Sequence, residues 1–268
     1  MSKREKSSSL RNPPNDTALG PPAVKSIYRA TCILNSLSEG INTLTDITHS
    51  CKLSKSTVHR LLRALEESHL VTQEPRNRKY YLGPLITRLT SNPQTTHEFL
   101  TTCALGEMKR LSDIAEETVT VGVMIGLQHI ILHEIPSKHD LRVTEENKRL
   151  ASLYAGATVK VLFSQFSDEE LKLMMRHINI TRYTENTVID KAELMAQIGE
   201  TRVRGYAVTC GEKIPGSMEL ASPVKNYLYP AALSVLGPES RIRPGRDAIV
   251  AELKKSAEII SGNVNELS

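Results

Sequence analysis

The residues best suited to chemistry lie together between Ser54 and Arg63, and their types suit duplex DNA better than a reaction. Lys55, Ser56, His59, Arg60 and Arg63 fall at spacings that share one side of a helix. Ser54 stands where its hydroxyl can accept a hydrogen bond from a free amide of the first turn, and Thr57 lies within that turn. Val58, Leu61, Leu62 and Leu65 recur at i, i+3, i+4 and i+7 on the other side. The segment therefore predicts a helix that is apolar toward a small core and basic and hydroxylated toward its partner. Such a surface fits a major groove, where cationic and hydroxyl side chains meet base edges and phosphates. A lone basic amphipathic helix is more often just a solvated surface. Its neighbours decide against that here.

The elements that must position this helix are legible on both sides of it. Leu44–Cys51 predicts a short helix with Leu44, Ile47 and Cys51 inward, and Lys52 and Leu53 make a tight connection to Ser54. Downstream, Val71–Gln73 and residues 79–82 are β-prone runs around Glu74, Pro75, Arg76, Asn77 and Arg78, a hairpin with a basic tip. Residues 23–37 form the first helix, with Val24, Ile27, Ile33, Leu34 and Leu37 inward. Helix, turn, helix and basic hairpin in this order predict a winged helix-turn-helix over residues 23–90. Lys52, Ser54, Lys55, Ser56, Thr57, His59, Arg60, Arg63, Arg76 and Arg78 are its candidate DNA contacts.

Charge follows the same division. The chain of 268 residues carries only +4 overall. Residues 1–90 hold 14 Lys/Arg against 7 Asp/Glu, whereas residues 91–268 hold 20 against 23. Basic charge thus gathers where phosphates would release counterions on binding. Length and this shift argue for two domains. No apolar run approaches the roughly 20 residues that span a bilayer. Residues 1–22 are polar and Pro-rich, the composition of a disordered tail and not of a secretion signal. Cys32, Cys51, Cys103 and Cys210 lack metal-type spacing, which fits reduced thiols in the cytoplasm, with no metal and no cofactor.

After the wing, residues 85–89 predict a short helix and Ser91, Asn92 and Pro93 a break, so that 91–98 is a linker and 99–268 a second domain. Residues 99–116 predict a helix burying Leu100, Cys103, Ala104, Met108, Leu111 and Ile114, followed by a hairpin of 119–125 and 130–134 around Gly126. Helices are expected at 157–165, 167–177 and Lys191–Arg204, with Ser167 and Glu170 at capping-box spacing. Strands at 206–209, 219–224 and 230–236 and a last helix at 246–260 complete the α+β pattern.

These segments together resemble the isocitrate-lyase-regulator (IclR) family of bacterial transcription factors. The likeness rests on residues 23–26, 54–62 and 80–83 in the first domain. In the second it rests on residues 117–119, Arg149 with Leu150, 153–160, 204–208, Pro215 with Gly216, and 231–235 before Gly237 and Pro238. It implies an α+β fold in which the winged helix-turn-helix precedes a GAF/PAS-like α/β effector-binding domain. It also implies a homodimer or homotetramer, a palindromic operator on double-stranded DNA, and a small carboxylate effector. Repression of a catabolic operon is what the family leads one to expect.

The effector site has physical content. Ala155, Gly156 and Ala157 immediately precede a predicted helix, where free amides and the positive dipole end would favour a carboxylate and Gly156 would permit close approach. The resemblance adds Thr209, Glu219 and Ser234, with Leu236 beside them. Thr209 stands where the family often has an acid and Glu219 where a small residue is common. A buried Glu219 would repel a second carboxylate and accept from hydroxyls, which favours a sugar acid over a dicarboxylate. Glu219 could equally point outward and pair with Lys213 or Lys225.

Other chemistry has less support. His129 and His133 could share a strand face with His139 nearby, yet structural histidines are commoner than ligands. Cys210 near Glu212, or Lys160 as a Schiff-base amine, could suggest an enzyme. The chain has no nucleophile elbow, P-loop, dinucleotide fingerprint or carboxylate pair with a matching base, so it is not expected to be one. The alternative from another class is an architectural protein that binds DNA without sequence preference. The favoured mechanism is differential binding: an effector shifts the DNA-binding modules through the Pro93 region and the 99–116 helix and so changes operator affinity.

Overall fold

A computed structural model describes residues 22–92, 96–144 and 150–267, excluding the side chains of 22–24, 150, 151 and 267. The expected tail, the inward Val24, Arg149 and the Pro93 hinge lie outside the described residues. The chain divides into two compact units between Asn92 and Pro93.

The first unit contains helices α1 (Pro22–Ser38), α2 (Leu44–Cys51) and α3 (Lys55–Glu67), the β1 (Val71–Gln73) and β2 (Tyr80–Leu82) hairpin, and α4 (Pro84–Thr90). Its core joins Ile33 and Leu37 of α1, Ile47 and Cys51 of α2, Val58, Leu62 and Leu65 of α3, and Val71 and Tyr80 of the hairpin. The apolar stripe of α3 is thus buried as its spacing predicts, with Leu61 and Leu44 only partly covered. Losing the Leu62 side chain from so small a core would cost about 2–5 kcal/mol. Ile27, expected inward, is 70% exposed because it lies on the side of α1 away from this core. The hairpin is antiparallel, with Thr72 opposite Tyr81. Gly83 fastens its end to the turn after α3: its amide donates to Leu70 O at 2.8 Å, and a Cβ there would overlap the His69 carbonyl.

The second unit is built on a six-stranded sheet in the order β5-β4-β3-β8-β7-β6, every neighbouring pair antiparallel. The strands are β3 (Thr118–Ile125), β4 (Gln128–Ile135), β5 (Leu150–Ala151), β6 (Ala207–Cys210), β7 (Ser217–Val224) and β8 (Ala231–Pro238). Helices α5 (Glu98–Ala115) and α9 (Glu239–Leu267) cover one face, where Val119, Val121, Val123, Leu220, Leu233 and Val235 meet Leu100, Met108, Leu111, Leu253 and Ile260. The other face turns Met124, Ala207, Ala221 and Ala232 toward α6 (Ala157–Phe163), α7 (Asp168–His177) and α8 (Lys191–Arg204). Because both faces are covered, β3 and β8 are buried almost end to end, including the polar Thr118, Thr120 and Ser234. Ser167 and Glu170 make both bonds of a capping box at the start of α7. No helix among the described residues is long and apolar enough to cross a membrane.

Four expectations need correction. The last helix begins seven residues before 246 and runs through Pro244, because Ile242 is carried fully into the core ahead of that break. Strand β5 is added, paired only with β4 through Ile130 and His129. Ile114 is 49% exposed in the final turn of α5, beyond the sheet that covers its earlier turns. His129 and His133 do not share a strand face: a bulge opposite Val121 and Gly122 shifts the register, so His129 lies on the side of Met124 and His133 on that of Val121.

Candidate functional site

Helix α3 starts where its sequence says it should. Ser54 caps it, its Oγ accepting from the Thr57 amide at 3.3 Å and lying 2.8 Å from the Thr57 hydroxyl. These two hydroxyls therefore order the first turn, and Thr57 is half-buried beneath it. Lys52 takes a left-handed conformation at φ 52° to close α2, which sets α3 off in a new direction. Lys52, Lys55, Ser56, His59, Arg60 and Arg63 are all exposed. None of the lysines and arginines in this group is ion-paired among the described residues. Their charge is left for an outside anion.

The wing is held from within. Glu74 accepts from the amides of Arg76 at 3.1 Å and Asn77 at 3.0 Å, and its own carbonyl accepts from Arg78 N at 2.8 Å. Gln73 Nε2 donates to the Arg78 carbonyl at 3.1 Å. The tip backbone is thereby fixed while the Arg76 and Arg78 side chains stand exposed and without ion pairs among the described residues. A rigid hairpin with two free guanidiniums suits phosphates, which position a protein on DNA without reading its sequence.

In the second unit, the loop before α6 is where an incoming carboxylate was expected, and its amides already have acceptors. Ser152 Oγ takes Tyr154 N and Ala155 N at 3.3 and 3.0 Å. Glu212 Oε2 takes Gly156 N at 3.1 Å, and Glu219 takes Ala157 N at 2.7 Å and Thr158 N at 3.3 Å. The Thr158 hydroxyl also donates to Glu219. Glu219 thus points inward, not out toward solvent. Gly156 has φ +111° and a Cβ on it would overlap Glu219 Oε2, so its close approach serves a carboxylate of the protein itself. This corrects the expectation that Ala155, Gly156 and Ala157 offer open amides to an effector acid. Beneath the loop, buried Lys160 donates to the other oxygen of Glu212, locking that carboxylate in place. Lys160 is therefore in an ion pair and not a free amine for Schiff-base chemistry.

Beside this loop lies a small cavity of about 20 Å³, room for about one water, lined by Thr120, His129, Ile131, Ser152, Ala155, Thr158, Val159, Lys213, Glu219 and Leu236. Of the residues expected at an effector site, Ala155 and Glu219 line it, with Leu236 beside them, whereas Gly156 and Ala157 do not. Ser234 sits one step behind, its Oγ 2.7 Å from that of Thr120. Thr209 is the register partner of Glu219 on β6 but does not line the cavity. His129, Thr120, Thr158 and Lys213 were missed as lining residues. Their signal was weak: each is an isolated polar residue, and only strand register gathers them. His129 is buried, and its Nδ1 lies 3.4 Å from the Ser152 carbonyl, which can only accept. Nδ1 thus carries the proton, and burial pushes the imidazole pKa down to about 4. Its Nε2 is left as a buried lone pair with no partner among the described residues. Burial likewise pushes the Cys210 thiol up, which disfavours the thiolate a nucleophile needs.

A basic helix-turn-helix with a wing, joined to an α+β unit that holds a small polar cavity, defines a ligand-responsive transcription regulator. Residues 26–75 match the IclR helix-turn-helix domain, and residues 95–262 match the family described as bacterial transcriptional regulator IclR C-terminal. The chain belongs to the IclR family. It is 28% identical over 232 residues to the HTH-type transcriptional regulator BhcR of Paracoccus denitrificans, covering 83% of this chain and 81% of that one. It is 25% identical over 233 residues to the HTH-type transcriptional repressor AllR of Escherichia coli, covering 85% and 86%. Among solved structures, the C-terminal domain of the Escherichia coli regulator KdgR is similar, with 26% identity and a TM-score of 0.55 over 62% of this chain and 99% of that one. The relatives are transcription regulators, and the protein is not an enzyme.

Proposed function

We propose that the protein represses a catabolic operon by binding a palindromic operator as a homodimer or homotetramer, and that a small molecule in the second unit alters that binding. The observation that carries this reading is the set of exposed cations on α3 and the wing that have no ion pair among the described residues. Lys55, Ser56, His59 and Arg60 face the major groove, with Arg63 one turn further along. Lys52, Arg76 and Arg78 hold phosphates. Ser54 and Thr57 act chiefly by ordering the helix start that presents them. The repressor assignment draws support from the name of the AllR relative. Symmetric assembly of two such modules would match a two-fold operator.

The effector we infer is a small hydroxylated molecule bound beside Glu219, where the cavity of about 20 Å³ must widen to admit it. The acid group of a sugar acid finds no open amide at the start of α6, since Glu212 and Glu219 hold those amides. Its binding would favour one placement of the DNA-binding modules over another and so shift operator affinity. Fluorescence anisotropy with duplexes from the promoters flanking the gene tests the reading. At least one duplex should bind about 1,000-fold tighter than a scrambled one at physiological salt. Equal affinity for all duplexes would replace the regulator with an architectural DNA-binding protein.

A further inference from the structure

Two cysteines meet in the core of the first unit, next in sequence to the turn between α2 and α3. Cys32 lies on α1 and Cys51 ends α2, and their thiols are hydrogen-bonded to each other. Ser36, one turn after Cys32 on α1, places the same contact independently. Its Oγ lies 3.5 Å from Cys51 Sγ and 3.0 Å from the Ser50 hydroxyl. Cys51 is buried, whereas Cys32 is partly open to solvent. Both sulfurs belong to one packed cluster, so the helices that carry them are already side by side. A disulfide asks for that arrangement, since its sulfurs must close to about 2.05 Å without a large backbone movement. Cys103 and Cys210 lie in the second unit, where burial pushes both thiols up.

The surroundings favour the thiolate that sulfur chemistry requires. Hydrogen bonding with the Cys32 thiol outweighs burial and, with the Ser36 hydroxyl, brings the Cys51 thiol down to about 7. The same contact, reinforced by burial, holds the Cys32 proton in place. Two sulfurs thus share one proton near neutral pH. When that proton passes to Cys51, the negative charge moves to Cys32, the more accessible of the two.

We propose that Cys32 and Cys51 form a redox switch in the DNA-binding unit, closed by a hydroperoxide and reopened by a dithiol. The Cys32 thiolate attacks the terminal oxygen of ROOH, the O–O bond breaks, and the leaving alkoxide takes the Cys51 proton to become ROH. Cys32 is then a sulfenic acid. The Cys51 thiolate attacks its sulfur and expels hydroxide, which leaves as water with the proton lost when the pair first ionised. Two thiols and one hydroperoxide thereby give one disulfide, one alcohol and one water. A dithiol reverses the bond by exchange and is itself oxidised to a disulfide. Closing the bond draws the end of α2 toward α1. Lys52, Leu53 and Ser54 follow Cys51 directly and lead into α3, so the Lys55, Ser56 and Arg60 surface is carried off the base edges it reads. Oxidation lowers operator affinity. This consequence rests on the reading above, in which α3 enters the major groove.

The test uses the full chain and an operator duplex recovered by selection from a random pool. Reduced protein is treated with a small excess of hydrogen peroxide, catalase removes the remainder, and anisotropy reads affinity before and after dithiothreitol. The oxidised protein should lose the mass of two hydrogen atoms and yield, on non-reducing digestion, a peptide linking Cys32 to Cys51. It should bind the duplex about tenfold more weakly, the worth of one good base contact. Dithiothreitol should restore both mass and affinity. C32S should bind as the reduced wild type does and ignore peroxide, while the C103S/C210S double variant should respond as the wild type does. Should C32S fail to fold by circular dichroism, C51A supplies the same comparison, and the linked peptide from the wild type needs neither variant. Absence of that peptide after peroxide, or a bond that leaves affinity unchanged, would overturn the switch and leave the regulator reading intact. If the reduced protein shows no preference among duplexes, the regulator reading itself falls and the switch with it, whether or not the bond forms.

Discussion

The Glu219 carboxylate occupies the space that a Cβ on Gly156 would need, so a residue on β7 fixes which residue can begin α6. The φ of +111° at Gly156 lies where side chains are strained, which reinforces the restriction. Gly156→Ala should therefore destabilise the second unit by about 2–3 kcal/mol in urea unfolding. The double variant with Glu219→Ala should lose less than the sum of the single losses, by about 1 kcal/mol, because the overlap is gone. Strict additivity would mean the two residues do not meet.

Lys160 and Glu212 form a buried ion pair, with both side chains less than one-tenth exposed. Lys160→Met removes the cation and leaves a buried carboxylate, which should cost about 3–5 kcal/mol. Adding Glu212→Gln should restore a large part of that loss, since the amide still accepts from Gly156 N. Urea midpoints at constant slope provide the comparison. A Lys160→Met variant as stable as the wild type would show that the pair is solvated.

His129 gives stability a pH dependence of known sign. Its folded pKa is depressed to about 4 by burial, so the unfolded chain takes up a proton more readily. Its contribution is constant above the ordinary histidine pKa near 6.5 and is lost as pH falls from there toward 4. Between pH 7 and pH 5 the loss is about 2 kcal/mol. His129→Gln should flatten that interval in urea unfolding. An unchanged slope would place the titration on other groups.

Much of the helical structure in both units was legible because its signals are local. Ser54 before α3, the Val58, Leu62 and Leu65 stripe, and the Ser167 and Glu170 box depend on neighbours three or four residues away. Their positions follow from helical geometry alone. What failed was non-local. Pro244 and Gly245 mark a boundary by local preference, yet the burial of Ile242 in the sheet core carries α9 through them. The two residues of β5 have no period to detect and exist through their pairing with His129 and Ile130.

The candidate site divides in the same way. The start of α6 and the inward Glu219 were readable as possibilities, but whether Glu219 faced the loop or the solvent depended on its register opposite Thr209 and Leu236. His129 looked like an incidental histidine because its role comes from Ser152, 23 residues away in sequence. The open carboxylate cradle was wrong for the same reason: the amides were visible in the sequence and their acceptors were not.

The division of labour on DNA is also testable. Arg60 extends from α3 with no ion pair among the described residues, and Arg78 stands at the wing tip. Arg60→Ala should lower operator affinity by about 1–3 kcal/mol with little change on random DNA. Arg78→Ala should weaken both and reduce the slope of log affinity against log salt by about 1. Anisotropy titrations at several salt concentrations separate the two. Identical losses on both sequences for both variants would contradict the assignment.

Ser54 should matter through structure more than contact. Ser54→Ala removes the acceptor for the Thr57 amide and should cost the first unit about 1 kcal/mol. Ser54→Asp retains a cap but places a negative charge near phosphate. Stability should survive in the aspartate variant while DNA affinity falls, as read by urea unfolding and anisotropy on the same preparation. Equal affinity for both variants would remove Ser54 from the interface.

The central claim is that the surface of α3 reads sequence, and selection from a pool of random duplexes by the full chain tests it most directly. The account predicts enrichment of one inverted repeat whose half-sites lie about one helical turn apart, or a multiple of it, and loss of that enrichment in Arg60→Ala. A pool that stays random after repeated rounds, while still binding tightly at low salt, would contradict it.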